Sequence, residues 1–315
     1  MRLALLFSPQ GSQAVGMGRE LAERSPAAAA AYAEADAALG WSISDLCWNG
    51  PLERLNDTRQ TQPCLVATSV AALRAFEAAG GPTPQVVAGH SVGEYAALVA
   101  AGVLDLAAAV RLVALRAQLM AAADESGGMA AVLGLDREAA EAVVEGIARP
   151  TELVVANDNA PGQVVISGER SALDAAEEPL RAAGAKRVVR LPVSGAFHSP
   201  LMAGVTDRLA EAFEAEAWRD AQIPVMSNVT AEPVTDAGRI RSLLAEQVRS
   251  PVEWVACVRR MAADGVDTMI ECGAGAALVG MVKRIVPEVR TATVSDAATL
   301  DATRAVVGVP KPVTA

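Results

Sequence analysis

The sequence predicts an α/β protein, a parallel sheet wrapped by helices and interrupted by a small βαββαβ unit, on three observations. Short apolar runs end at loop-forming residues, as buried parallel strands do: RLALLF (Arg2 to Phe7) stops at SPQGSQ, and PQVVAG (Pro84 to Gly89) stops at HSVG. Long Ala-rich stretches follow, and Ala gives up almost no side-chain entropy in a helix. Between residues 128 and 191 the texture changes to six short elements in quick succession.

Taken in order, helical patterns run from the first strand to about Gly81. The strand at PQVVAG passes directly into VGEYAALVAAG and then LDLAAAVRLVALRAQLMAAA (Leu104 to Ala123); strand, tight turn, helix is the grammar of a parallel sheet. The Gly pair of ESGGMAAVLGL opens the second unit. It reads as a strand at Met129 to Gly134, a helix at Arg137 to Ala148, strands at Leu153 to Asn157 and Gln163 to Ser167, a helix at Ser171 to Ala183 and a strand at Arg187 to Leu191. That order is ferredoxin-like. After LPVSGAFHSPLM come a helix to about Ala217, the strand IPVMS (Ile223 to Ser227), helices around Arg239 to Arg249 and Val252 to Ala263, the strand DTMIEC and a helix from Ala277 to Ile285. The expected organisation is a discontinuous larger domain, 1–127 and 192–295, around a subdomain at 128–191, with a loosely held, Pro-containing tail at 296–315.

A chain of 315 residues, 52% apolar, is long enough to bury a sizeable core. Its net charge of −10 opposes nucleic acid and anionic membrane as ligands. Met1 opens directly into RLALLF without the parts of a signal peptide, and no 18-residue apolar run occurs, so a cytoplasmic protein is expected. Cys47, Cys64, Cys257 and Cys272 are scattered, in apolar contexts and without CxxC spacing, which fits reduced core residues rather than disulfides or zinc.

Gly89-His90-Ser91-Val92-Gly93 satisfies G-x-S-x-G, the nucleophile elbow, in which flanking glycines let strand and helix approach closely. Here a strand precedes it and a helix follows, and a helix N-terminus offers a backbone N–H and a favourable dipole to a developing oxyanion. A serine nucleophile needs a base. The chain has two histidines, His90 and His198; His90 adjoins the nucleophile and diverges from it, which leaves His198 in SGAFHSPLM. An α/β-hydrolase would carry an HGGG-type oxyanion loop and an acid between Ser and His. No such loop occurs, and Asp158 and Asp174 both fall in the inserted unit.

FSPQGSQ, GHSVGEYAAL, RLVALRAQLM followed by GGMAAVLG, NDNAPGQVVISG, VSGAFHSPLM and SPVEW, in this order and over about residues 1–290, resemble the malonyl-CoA:acyl carrier protein transacylase family. The resemblance implies an α/β-hydrolase-like core with a ferredoxin-like insertion. It implies that Ser91 takes the acyl group from a coenzyme A thioester and passes it to the phosphopantetheine thiol of an acyl carrier protein, with His198 as base and then acid and no cofactor. It further implies that Gln10 and the Val92 backbone N–H shape the oxyanion hole, that Arg116 pairs with the free carboxylate of a malonyl-type acyl group, and that the Gln247 carbonyl orients the histidine. Phe197, in the AFHS version of the family's specificity motif, accompanies malonyl, and His90 belongs to the same acyl-specificity surroundings.

Chemistry agrees on Arg116: a guanidinium grips a carboxylate through two parallel hydrogen bonds, and Arg111, about 140° around the helix, cannot share its pocket. The chain departs from the family at Pro9, where Gly is usual, and at ECGAGAAL in place of the EVGPG pattern. Carrier proteins are acidic, so Lys186, Arg187, Arg190, Lys283 and Arg284 are the candidate docking charges. A discrete transferase is expected, since 315 residues leave no room for a carrier or condensing domain. The alternatives are transfer of another acyl group, a malonate decarboxylase component, a thioesterase or esterase with the same elbow, and a catalytically idle scaffold.

Overall fold

Two sheets divide the chain, and the larger is built from both of its ends. The computed structural model describes residues 1–310 except 124, 125, 148, 150 and 194. The first part runs β1 (Leu3–Phe7), α1 (Arg19–Arg24), α2 (Pro26–Leu39), α3 (Ile43–Asn49), α4 (Leu52–Leu55), α5 (Thr58–Ala78), β2 (Val86–Gly89), α6 (Gly93–Ala100) and α7 (Leu106–Ala122). The inserted unit is β3 (Gly127–Leu133), α8 (Arg137–Ile147), β4 (Leu153–Ala160), β5 (Gln163–Glu169), α9 (Arg170–Ala182) and β6 (Arg187–Arg190). The chain then returns through α10 (Ala203–Phe213), β7 (Val225–Met226), β8 (Pro233–Val234), α11 (Ala237–Gln247), α12 (Trp254–Ala263), β9 (Thr268–Cys272), α13 (Ala277–Ile285), β10 (Arg290–Val294) and α14 (Ala297–Val306).

The larger sheet has the order β10-β9-β1-β2-β7-β8, parallel throughout except for the antiparallel β8. Its central strand shows why the sequence is apolar without alternation. Leu3, Leu5 and Phe7 pack into one core while Ala4 and Leu6 pack into another on the opposite face, so both faces are covered. Helix starts follow the sequence signals. Asp57, Asp105 and Asp236 accept a hydrogen bond from the first turn of α5, α7 and α11, and Ser25 with Pro26 opens α2.

The smaller sheet is antiparallel with the order β4-β5-β3-β6, and α8 and α9 cover one face over Val132, Val164, Ile166, Leu173 and Leu180. It is stitched to the larger unit by backbone. Asp158 N–H donates to the Val252 carbonyl (3.1 Å), Val252 N–H donates to the Ala156 carbonyl (2.8 Å), and Arg137 pairs with Glu253.

Several expected boundaries move. The segment 296–315 is not a loose tail up to residue 310, because Asp296 and Thr299 form a capping box for α14, whose Thr303 hydroxyl donates to the Thr293 carbonyl of β10 (2.7 Å). The last five residues of the expected tail, 311–315, and the expected helix end at Ala148 lie outside the described residues. β10 and β8 were not legible: β10 is an edge strand of mixed polarity, and β8 an edge strand of only two residues, Pro233 and Val234. IPVMS pairs only at Val225–Met226, and the helix expected to reach Ala217 ends at Phe213. All four cysteines are buried free thiols. Among the described residues no helix is long and apolar enough to cross a membrane.

Candidate active site

The parallel strands β1, β2 and β7 end together, and the site lies at their carboxyl ends, where an α/β sheet leaves a crevice. β2 stops at Gly89 and α6 begins at Gly93, leaving Ser91 on the intervening turn with φ 51°. A non-glycine residue in that left-handed region costs on the order of 1 kcal/mol, so the turn must be held from outside. Asn228, just beyond β7, does this: its Oδ1 accepts from Ser91 N–H (2.6 Å) and its Nδ2 donates to the Gly89 carbonyl (2.7 Å). The two glycines serve close approach, since a Cβ on Gly93 would lie 2.2 Å from the Phe7 carbonyl oxygen and one on Gly89 would lie 1.9 Å from the Gly93 carbonyl carbon.

Ser91 Oγ is 2.7 Å from His198 Nε2. His198 Nδ1 faces two carbonyls, Gln247 O at 2.9 Å and Ser250 O at 3.2 Å. Carbonyls only accept, so Nδ1 carries the proton and Nε2 is left to accept from the serine hydroxyl. Burial, and then the charge of Arg116, push the histidine down to about 3, so it is neutral at any ordinary pH. Among the described residues no carboxylate meets His198 Nδ1; two main-chain oxygens do.

Arg116 is 1% exposed, and among the described residues no carboxylate touches it. Its NH1 donates to Gln62 Oε1 (2.7 Å), its NH2 to Ser91 Oγ (3.0 Å) and Gln247 Oε1 (3.1 Å), and its Nε has no partner among the described residues. The Tyr95 ring lies 5.9 Å from the guanidinium carbon. Gln62 Nε2 in turn donates to Gln10 Oε1, and Gln10 Nε2 donates to Thr58 Oγ1, both at 3.2 Å. Neither the Gln10 nor the Val92 backbone N–H is hydrogen-bonded to another described residue, which leaves both donors available to an oxyanion. Arg111 sits on the outer face, paired with Glu216.

A cavity of about 470 Å³ opens on Ser91 and His198, with Arg116 buried behind the serine. Ser91, His198, Phe197 and His90 line it together with Pro9, Gln10, Gln62 and Met120 from the larger unit, Met129, Asn157 and Asn159 from the insertion, and Met281 from α13. His90 turns away from Ser91: its Nε2 meets Asn159 Oδ1 at 2.7 Å and its ring packs against Trp254, so it ties the elbow to the insertion. Among the described residues no group of three His, Cys, Asp or Glu could hold a metal ion.

The candidate docking charges divide. Arg190 is paired with Asp174, and Arg284 is bound to Gln163 Oε1 and the Pro161 carbonyl, so both are committed within the molecule. Lys186, Arg187 and Lys283 are exposed and form no ion pair among the described residues. The Gly134 and Gly162 turns bring the insertion and α13 together, with Lys186 packed on the first and Arg284 on the second. Sequence reasoning missed Asn228, Gln62, Asn159 and Glu94. Each is a polar residue next to or within a regular element, with partners far away in the chain.

Residues 4–307 match a protein family described as the acyl transferase domain. The chain is 43% identical over 303 residues to a malonyl CoA-acyl carrier protein transacylase of Bacillus subtilis, covering 95% of both chains, and 42% identical over 303 residues to its namesake in Salmonella typhimurium, covering 96% of this chain and 98% of that one. Among solved structures it resembles an acyl carrier protein S-malonyltransferase from Vibrio cholerae (TM-score 0.93, 43% identity, 96% of this chain and 100% of that one). It also resembles a malonyl-transacylase in complex with a type II PKS acyl-carrier protein (TM-score 0.92, 41% identity, 96% and 98% covered).

Proposed function

This chain belongs to the acyl transferase family, and from that membership we propose that it moves a malonyl group from coenzyme A to the thiol of an acyl carrier protein, for fatty acid or polyketide synthesis. The observation that carries the reading is the buried Arg116 guanidinium 3.0 Å from the nucleophile. A hydrolase of uncharged esters has no acyl carboxylate for such a charge to hold, whereas a three-carbon acyl group esterified to Ser91 has its free carboxylate within reach of it. The two sheets support the finer description of the fold as an α/β-hydrolase-like core carrying a ferredoxin-like insertion.

The geometry supports the following steps. Ser91 Oγ attacks the thioester carbonyl as its proton passes to His198 Nε2. The oxyanion is received by the Val92 and Gln10 N–H groups, and the imidazolium is stabilised by the carbonyls of Gln247 and Ser250. Collapse breaks the C–S bond, and His198 returns the proton to the departing coenzyme A sulfur. In the second half the carrier thiol gives its proton to His198 and attacks the ester, and Ser91 leaves with that proton. Phe197 beside the histidine narrows the pocket against an α-methyl branch, a discrimination of about 1–3 kcal/mol.

Intact-mass measurement tests the reading. Mixed with malonyl-CoA, the protein is expected to gain about 86 Da, the mass of a malonyl ester, on Ser91 and to pass it to added holo carrier; Ser91→Ala gains nothing. Release of free malonate in place of transfer would mark a hydrolase and end the proposal.

The carrier docks against Lys186, Arg187 and Lys283, charges with no ion-pair partner among the described residues, at the seam between insertion and α13, where Met281 also reaches the cavity. The double variant Lys186→Glu, Lys283→Glu is expected to raise KM for the carrier about tenfold at low salt while leaving malonyl-CoA acylation of Ser91 unchanged. Equal carrier kinetics in variant and parent would place docking elsewhere.

A further inference from the structure

Behind the reacting groups lies a buried carboxylate that the mechanism does not use. Glu94, in the first turn of α6, is 3% exposed. Its Oε2 accepts from Gln247 Nε2 at 2.7 Å and from Asn228 N–H at 3.3 Å. Gln247 is the hub of the site: its Nε2 also donates to the Ser91 carbonyl (3.1 Å), its Oε1 accepts from Arg116 NH2 (3.1 Å), and its backbone oxygen orients His198 (2.9 Å).

An amide side chain has two ends of similar shape and opposite polarity, and nothing in its own geometry says which way it faces. Here it lies between a carboxylate, which only accepts when ionised, and a guanidinium, which only donates. That pair fixes the orientation and leaves Oε1 toward Arg116. It also supplies a negative charge one residue removed from a buried arginine that no carboxylate touches among the described residues.

We propose that Glu94 is a positioning residue for acyl transfer, acting through the Gln247 amide to set both the guanidinium that receives the acyl carboxylate and the residue that orients His198. The arginine arm rests on the malonyl reading above; the histidine arm does not. The charged and titratable groups around Glu94 are Arg116 on α7, Tyr95 beside it on α6 and Cys257 on α12. Burial, opposed by the bonds from Gln247 and Asn228 and then by Arg116, raises Glu94 to about 7. The carboxylate that polarises Gln247 is therefore present above that pH and lost below it. His198, held at about 3, does not titrate there, and burial moves His90 down, away from that range. Glu271, also raised to about 7, does; it lies behind the Ser8 hydroxyl and the start of α13.

The test measures single-turnover acylation of Ser91 by p-nitrophenyl acetate, which needs no acyl carboxylate, and kcat and KM for malonyl transfer, from pH 5.5 to 9. The parent enzyme is expected to gain rate across roughly pH 6 to 8 with both substrates as Glu94 ionises. Glu94→Gln, which keeps the shape and loses the charge, is expected to abolish that rise and to lower kcat about tenfold with little change in KM. Glu94→Asp keeps the charge and is expected to restore the rise. A parent profile flat from pH 6 to 8, a rise that survives in Glu94→Gln, or one that disappears in Glu271→Gln alone would each overturn the assignment. Loss of the rise with the ester while malonyl transfer proves absent would overturn the malonyl reading and leave Glu94 in its role.

Discussion

Arg116→Ala is expected to lower kcat/KM for malonyl transfer by about 10²–10³, and to change acetyl transfer by less than tenfold. Two charge-assisted hydrogen bonds to a carboxylate, at about 1.5–3 kcal/mol each and not fully additive, account for the first figure. The second is smaller because the guanidinium acts on the serine–histidine pair in two opposing ways. It donates to Ser91 Oγ at 3.0 Å, which favours the developing alkoxide, yet its charge is the second cause, after burial, of the low basicity of His198. Removing it weakens the nucleophile and strengthens the base. Arg116→Lys, which keeps a charge but not the fork, is expected to fall between the two for malonyl. Steady-state rates with both acyl-CoAs decide the matter, and equal losses for malonyl and acetyl would remove Arg116 from acyl recognition.

Gly93→Ala is expected to destabilise the fold by about 3 kcal/mol or more, although alanine is the better helix former by about 1 kcal/mol. The added methyl would stand 2.2 Å from the Phe7 oxygen, 2.9 Å from the Phe7 carbonyl carbon and 3.0 Å from the Ser8 oxygen. These atoms belong to the end of β1, which is paired on both sides by β2 and β9 and has nowhere to move. The contrast is Gly280 in the interior of α13, where a methyl meets nothing within 4 Å. Gly280→Ala is expected to be neutral or to stabilise by up to about 1 kcal/mol. Denaturant unfolding of the two variants separates close packing from helix propensity. Similar midpoints would show that the elbow can spread.

Ser91 was legible because its signal is local: five consecutive residues with a strand on one side and a helix on the other. His198 was legible for an arithmetical reason, there being two histidines and one of them adjacent to the nucleophile. Arg116 and Gln247 became visible through the family resemblance, since an arginine in an Ala/Leu-rich helix and a glutamine at a helix end carry little sign of their own. The βαββαβ order was readable because its strands alternate with helices of strong amphipathic pattern. Asn228 and Glu94 escaped because what defines them is a partner 134 to 153 positions away, which no spacing rule encodes. The capping box of α14 has Thr299 where the usual pattern has Glu or Gln, and Pro310 and Pro312 beyond it carry the signal of a chain end, so the helix between them was obscured.

The histidine stands on the return strand of chain from the insertion, and the carbonyl of Ser250 that helps orient it belongs to the same short loop as Val252, where the insertion's β4 is stitched to the larger unit. Insertion and His198 therefore share one mount. In an enzyme whose two lobes are to be recombined, the insertion is not a cassette to be exchanged for a different acyl preference. A donor lobe that seats a fraction of an ångström differently on Val252 shifts the His198 imidazole by a similar amount, and the chimera inherits a new pocket with that ring out of line with Ser91. The joint to conserve in such a graft is the peptide from Gln247 to Glu253.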